Sequence, residues 1–481
     1  MTPRQTIIVA VLLGLLAFQI LTFAILTFFS SLPDQGLSAL NSSAYMILAP
    51  LSTVFLLGLL YAWLLRLGTR IARLRVARFD RFVRFLSEPF HGVISSMKGA
   101  SLSDSARSLK ILSRPRLVLA ISLVVSSLLA YFPYRSDLNP TGSLVGVDSP
   151  LYVGWISQML AQPLGQALQY SFVEGLEGSR PLLLLLLYSI ASAGASPSQI
   201  IEYLPMILAP LLSLSTYVFV RYGQGSTHLA GLTSLFTPIS FYTTVGLWGG
   251  YYANWLGLVF AFLFMTALLS FSKTPSRLNY GGMFFLSIAL FLTHPWTWAL
   301  VATVSLAFAI SLWRETRNLI HLKSILAILL TAIALDFVKS WVFATRTVAA
   351  DIATKSPSSF GSLLGFWNNL VQALLYTHGG LLGNWLILGI GLAAALALRF
   401  SDRFERLLIF WTAAASIPFA TLDSYHQARI VYDLPVPILM SLAVLFFLPT
   451  IRARNLRWPG LIIAVILVTI IDYALQGILL L

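Results

Sequence analysis

The sequence predicts an all-α protein that threads a membrane about thirteen times, and three observations predict it. Of its 481 residues 58% are hydrophobic and 10% are charged, whereas soluble domains are about 25% charged, so no water-facing surface could be clothed. Apolar runs of roughly 17–25 residues, enough to cross a hydrocarbon core about 30 Å thick, recur from Ile7 to Leu480. The runs are solid, as in Leu182 to Leu187, without the alternation of a transmembrane strand. Helices that satisfy their own backbone groups are what lipid then requires.

The first run, Ile7 to Phe29, follows Arg4 and exceeds a signal-peptide core of about 7–15 residues, so a retained anchor is expected. With a second run at 44–66 it forms an N-terminal pair of helices over residues 1–66. Residues 67–116 form a basic segment in which Arg70, Arg73, Arg75 and Arg78 interleave with Ile71, Leu74, Val76 and Phe79. That pattern suits a cytoplasmic helix held on anionic headgroups and suits a topology signal equally. A core over 117–450 follows, with helices expected near 117–132, 200–219, 229–246, 255–272, 280–293, 296–312, 324–344, 380–398, 407–421 and 434–449. A last helix, 459–480, occupies the C-terminal unit 451–481.

Basic loops fall at Arg66–Arg116, Lys273–Arg277, Arg314–Lys323, Arg399–Arg406 and Arg452–Arg457. The excess of Lys and Arg in cytoplasmic loops assigns all five to the inside of a cell membrane, with the N-terminus cytoplasmic and the C-terminus outside. The net charge of +14 is thereby a topology signal, and nucleic acid is not an expected partner. Pro181 to Ala193 is apolar, but as a span it would turn the Lys273 loop outward, so it is expected to lie along the outer surface. The chain has no cysteine, which excludes disulfides and thiolate chemistry and leaves oxygen and imidazole groups.

The longer outer segments are then 133–180, 344–379 and 423–433, and three of the six histidines, His294, His378 and His426, fall at outer helix ends. Gly146-Val147-Asp148-Ser149-Pro150 opens an amphipathic run from Leu151 to Leu168. A carboxylate there can serve as a base or hold a divalent cation through oxygen. Asp148 reads equally well as the N-cap of a helix beginning at Pro150. His294-Pro295-Trp296 is a turn whose histidine can meet a phosphate oxygen or relay a proton; a plain turn flanked by interfacial anchors Trp296 and Trp298 is the commoner use. Arg429, the only arginine of the hairpin Asp423 to Asp433, suits a phosphate or a salt bridge to Asp433 or Asp423. Asp336 and Lys339 share one face of a span and are expected to face the protein interior and pair.

A membrane helix, a long outer loop with Gly-x-Asp near its start, an outer juxtamembrane helix and then many closely spaced helices resemble the polytopic GT-C-type glycosyltransferases over about residues 117–450. Gly249-Gly250-Tyr251-Tyr252-Ala253-Asn254 is similar to the Gly-x-Tyr-Asp-Asn-Glu motif of the oligosaccharyltransferase catalytic subunit. Ala253 and Trp255 stand where its acidic residues would be, which sets this chain apart from metal binding and asparagine transfer of that kind. The resemblance implies transfer of a sugar from a polyprenyl-phosphate-linked donor, embedded in membrane lipid, to an acceptor at the outer face. Asp148 would be catalytic, Arg429 and His294 would bind the phosphate, and Tyr252, Asn254, His378, His426 and Asp433 would line the site, with a divalent cation as a candidate cofactor. A transporter or lipid flippase and a non-catalytic membrane subunit remain open. The charges gather at one face and no internal repeat is visible, whereas transporters carry repeats around a midplane site.

Overall fold

A computed structural model describes residues 114–347, 394–395, 398–416 and 432–453. The expected helices 7–29, 44–66 and 459–480, most of 380–398, and Arg429, His378 and His426 lie outside the described residues. Among the described residues all regular structure is helical and there are no strands. Five helical segments are long and apolar enough to cross a membrane.

Helix α1 (Pro115–Tyr131) begins with proline in its first turn, where the missing N–H costs nothing, and ends in a 3-10 turn, Phe132–Tyr134. The run read as one amphipathic helix from Leu151 to Leu168 is two, α2 (Ser149–Leu160) and α3 (Leu164–Val173). Pro163 divides them, because it donates no backbone bond and pushes Gln162 out of the helical region. The short apolar helix α4 (Pro181–Ser192) follows, as expected for 181–193.

Helix α5 (Pro197–Gln224) opens on Ser196, whose hydroxyl accepts from the Gln199 amide, and stops at Gly225 in the left-handed conformation. The expected span 229–246 is broken into α6 (Thr227–Phe236) and α7 (Phe241–Gly249). Pro238 lies in the break, and the Ser240 hydroxyl caps the second half by accepting from the Tyr242 amide. The chain continues through α8 (Tyr252–Lys273), α9 (Arg277–Thr293), α10 (Pro295–Thr316) and α11 (Ile320–Phe343). Two further helices are α12 (Arg403–Ser416) and α13 (Val436–Ala453).

Helix α8 is central: 72% of its most apolar window is buried, against 33% for α1 and for α11. It packs on α5 and α9, while α11 leaves Leu330, Phe337, Val338, Trp341 and Val342 exposed. Helices α1, α5 and α6 are joined by hydroxyls as well as by apolar contact. Ser126 and Ser213 Oγ atoms are 2.8 Å apart, and Thr216 and Thr237 Oγ1 atoms 2.9 Å apart. Small polar residues of this kind let membrane helices approach closely and bond across the interface.

Helices α8 and α10 each have 22 residues, roughly 33 Å at about 1.5 Å per residue, and run in the same direction, with α9 running back between them. Their basic ends gather around α12. Arg403 donates to the Ser272 carbonyl at 2.6 Å, Arg406 pairs with Glu315 at 2.6 Å, and Phe404 fills the space a side chain at Gly223 would take. Lys273 donates to the Tyr222 carbonyl at the same end. Asp336 and Lys339 pair at 3.4 Å, both nearly buried, in keeping with the expectation that they face the interior.

Candidate active site

At the start of α2, two turns lean on one another. The Asp148 amide donates to the Gly249 carbonyl at 3.2 Å, so the Gly-x-Asp loop is seated on the Gly-Gly turn that ends α7. Gly146 has φ 101° and Gly250 φ 65°, and a side-chain carbon at Gly146 would lie 2.4 Å from the Leu247 carbonyl oxygen. Only glycine permits this contact. Ser149 donates to the Val145 carbonyl at 2.5 Å, which leaves its oxygen to accept from the Tyr252 hydroxyl at 2.6 Å.

Asp148 occupies the N-cap position of α2, yet its side chain makes no capping bond. The capping reading of this residue therefore does not describe what the carboxylate does. It is half-buried; burial raises its pKa from the usual aspartate value, and the nearby Arg180 guanidinium pulls it back down.

Arg180, just before α4, is 4% exposed. One of its terminal nitrogens donates to the Tyr152 hydroxyl at 3.2 Å. Tyr152 lies four residues after Asp148, fully buried, with its ring 5.5 Å from that of Tyr252. The charge of Arg180 acts on both Asp148 and His294. Sequence reasoning passed over this residue as the end of an outer loop. A lone cation directly preceding a proline-led apolar helix was the available signal.

His294 ends α9 and caps α10, its Nδ1 accepting from the Thr297 amide at 3.2 Å. The Thr297 hydroxyl oxygen lies 2.6 Å from His294 Nδ1, 2.6 Å from Asp433 Oδ2 and 3.2 Å from Asn254 Oδ1. Asn254 donates its side-chain N–H to Asp433 Oδ1 at 3.0 Å, and the Trp411 indole donates to the Asp433 backbone carbonyl at 2.8 Å. All four residues of this network are buried. Gly257 makes the approach feasible, since a side-chain carbon there would sit 3.0 Å from His294 Cβ. Burial, then the charge of Arg180, holds the His294 pKa well below its ordinary value, and burial raises that of Asp433 well above the carboxylate range.

Asp148, Tyr252, Asn254, His294 and Asp433, separate in the sequence, thus meet in one region, together with Arg180, Tyr152, Ser149 and Thr297. Two expectations change. Trp298 is buried and donates to Ser287 Oγ at 3.0 Å, so it is a packing residue and no interfacial anchor. Trp255, standing where the oligosaccharyltransferase motif has an acid, donates its indole N–H to the Tyr242 carbonyl at 2.5 Å and ties α8 to α7. Among the described residues no group of three or more His, Asp or Glu side chains is placed to hold a metal ion.

The arrangement brings a half-buried carboxylate, a buried guanidinium and a buried imidazole to one end of the helices. No protein-family model matches the chain, and no curated protein matches it in sequence.

Proposed function

We propose that the chain is a membrane glycosyltransferase that moves a sugar from a polyprenyl-phosphate carrier to an acceptor hydroxyl at the outer face of the cell membrane. The observation that carries this reading is the placing of Asp148, a half-buried carboxylate with no capping bond, within electrostatic reach of the buried cation Arg180, at the end of the bundle away from the basic helix ends. Asp148 takes the acceptor proton as the acceptor oxygen bonds to the sugar carbon. The bond from that carbon to the phosphate oxygen breaks, its electron pair stays on the phosphate, and Arg180 with His294 stabilises the charge. The carrier's apolar tail remains in lipid. In this reading Arg429 adds a second cation, the helices number about thirteen, and the basic ends around Lys273, Arg314 and Arg403 face the cytoplasm.

The test is consumption of a labelled polyprenyl-phosphate hexose by the purified chain in proteoliposomes, with water as the default acceptor. Asp148→Asn should abolish it and Arg180→Gln should slow it by about a hundredfold; full activity in both removes the assignment. In the cysteine-free chain, Val147→Cys should label from outside and Leu278→Cys only after permeabilisation, both positions being exposed. The break between α6 and α7, flanked by buried hydroxyls, favours a second reading as a lipid flippase, because transporters use interrupted helices. Movement of the labelled lipid across the bilayer with no covalent product would select it.

A further inference from the structure

The hydrogen bonds around Thr297 can be counted proton by proton. A backbone amide only donates, so the bond from the Thr297 amide makes His294 Nδ1 an acceptor, and a neutral imidazole that accepts at Nδ1 carries its proton on Nε2. The Thr297 hydroxyl has one proton and three polar neighbours, Asn254 Oδ1 at 3.2 Å and two close partners at 2.6 Å, His294 Nδ1 and Asp433 Oδ2. One partner must therefore bring a proton of its own, and Nδ1 has none. The proton is on Asp433. Asn254 donates to Oδ1, which marks Oδ1 as the carbonyl oxygen and Oδ2 as the hydroxyl of a neutral acid. Asp433 is 0% exposed and Thr297 0% exposed, an environment in which an ionised carboxylate is costly and a protonated one acts as a donor.

We infer that Asp433, Thr297 and His294 form a one-way donor chain that fixes His294 as a neutral imidazole, with its Nε2–H left as the remaining hydrogen-bonding edge for an anionic oxygen of the donor phosphate. Asp433 and Thr297 are positioning residues: they act through the ring. The direction of the pKa displacement at both ends of the chain agrees with the count, His294 held neutral and Asp433 held protonated. A neutral donor has a use next to a guanidinium, because a second buried cation would repel Arg180, whereas an N–H adds a bond without adding charge. The phosphate as the anion rests on the transferase reading, while the donor chain does not.

The test is nitrogen NMR of the full chain, labelled at histidine, at neutral pH, with the His294 signals assigned by their loss in His294→Gln. Expected are an unprotonated Nδ1 and a protonated Nε2, unchanged in Asp433→Asn and Thr297→Ser, because an amide can donate to Thr297 as the acid does and serine keeps the hydroxyl. Thr297→Val should lose this signature and lower transfer about tenfold. A geranylgeranyl phosphate probe should move the Nε2 signal. An imidazolium or a protonated Nδ1 in the parent, a changed tautomer in Asp433→Asn, or an Nε2 signal indifferent to the probe overturns the inference. An intact NMR pattern and probe response without any sugar transfer overturns the transferase reading instead.

Discussion

Gly146→Ala probes the whole arrangement through one methyl group. At φ 101° a residue with a side chain is strained by about 1–3 kcal/mol. The new carbon also arrives 2.4 Å from the Leu247 carbonyl oxygen, where ordinary contact begins at 3.4 Å, so the two backbones must separate by about 1 Å. Neither partner is a flexible side-chain end that could swing away. Asp148 is two residues on and bonded through its amide to the same turn, so the displacement is passed to the carboxylate, and a misplacement of about 1 Å costs about a hundredfold in rate. The assay is sugar release from the polyprenyl-phosphate hexose, run beside thermal unfolding in detergent. Gly142→Ala is the control for backbone strain alone: φ is 64° and nothing lies within 4 Å of the added carbon, so it should lose about 1–2 kcal/mol of stability and keep its rate. Gly154→Ala, on α2 with open space around it, should gain roughly 0.5–1 kcal/mol. A Gly146→Ala protein with parental rate and melting temperature, or a Gly142→Ala protein equally impaired in rate, would refute the reasoning.

Arg180→Gln should move the acid limb of the pH–rate profile to higher pH: Asp148 must be ionised to act as a base, burial raises its pKa, and the opposing pull of Arg180 is gone. Arg180→Lys, which keeps the charge, should leave the limb in place while raising KM through loss of the guanidinium fork; a limb unmoved in Arg180→Gln would count against Asp148 as the base. Between α1 and α5, Ser126 donates to the Ser122 carbonyl and so must accept from Ser213. A double-mutant cycle with Ser126→Ala and Ser213→Ala, read by thermal unfolding, should give a coupling of about 0.6 kcal/mol, and additive effects would mean that the bond contributes nothing to the interface.

The helices were largely legible because an apolar run bounded by Arg, Pro or Gly carries its own length and its own stops. Ser196, Ser276 and His294 all cap the helices that the sequence suggests. The break inside 229–246 had a signal that was passed over, since Pro238 cannot continue the hydrogen-bond ladder and Ser240 follows as the cap of the second half. Asp148 could be found from Gly-x-Asp-Ser-Pro, but the reason for the glycine lies in residues 247–250, a hundred positions away.

Charge at the helix ends is the harder case, because in any helical membrane protein the loops collect polar residues whether or not they do chemistry. Burial is what separates them, and sequence does not report it. Arg135 and Asp137 lie in the same stretch between α1 and α4 as Arg180 and form an ion pair at 2.6 Å, but their side chains are 46% and 58% exposed, and such a pair contributes little. Arg180 is 4% exposed and Asp433 0%. A buried guanidinium and a buried carboxyl each carry a desolvation cost of several kcal/mol unless the surroundings offset it. Arg180 is met by Tyr152 and by the charge of Asp148, and Asp433 is met by Asn254, Thr297 and, on the proton count, by its own proton. Both compensations come from segments other than the one that carries the buried group, so neither can be read from its sequence neighbours.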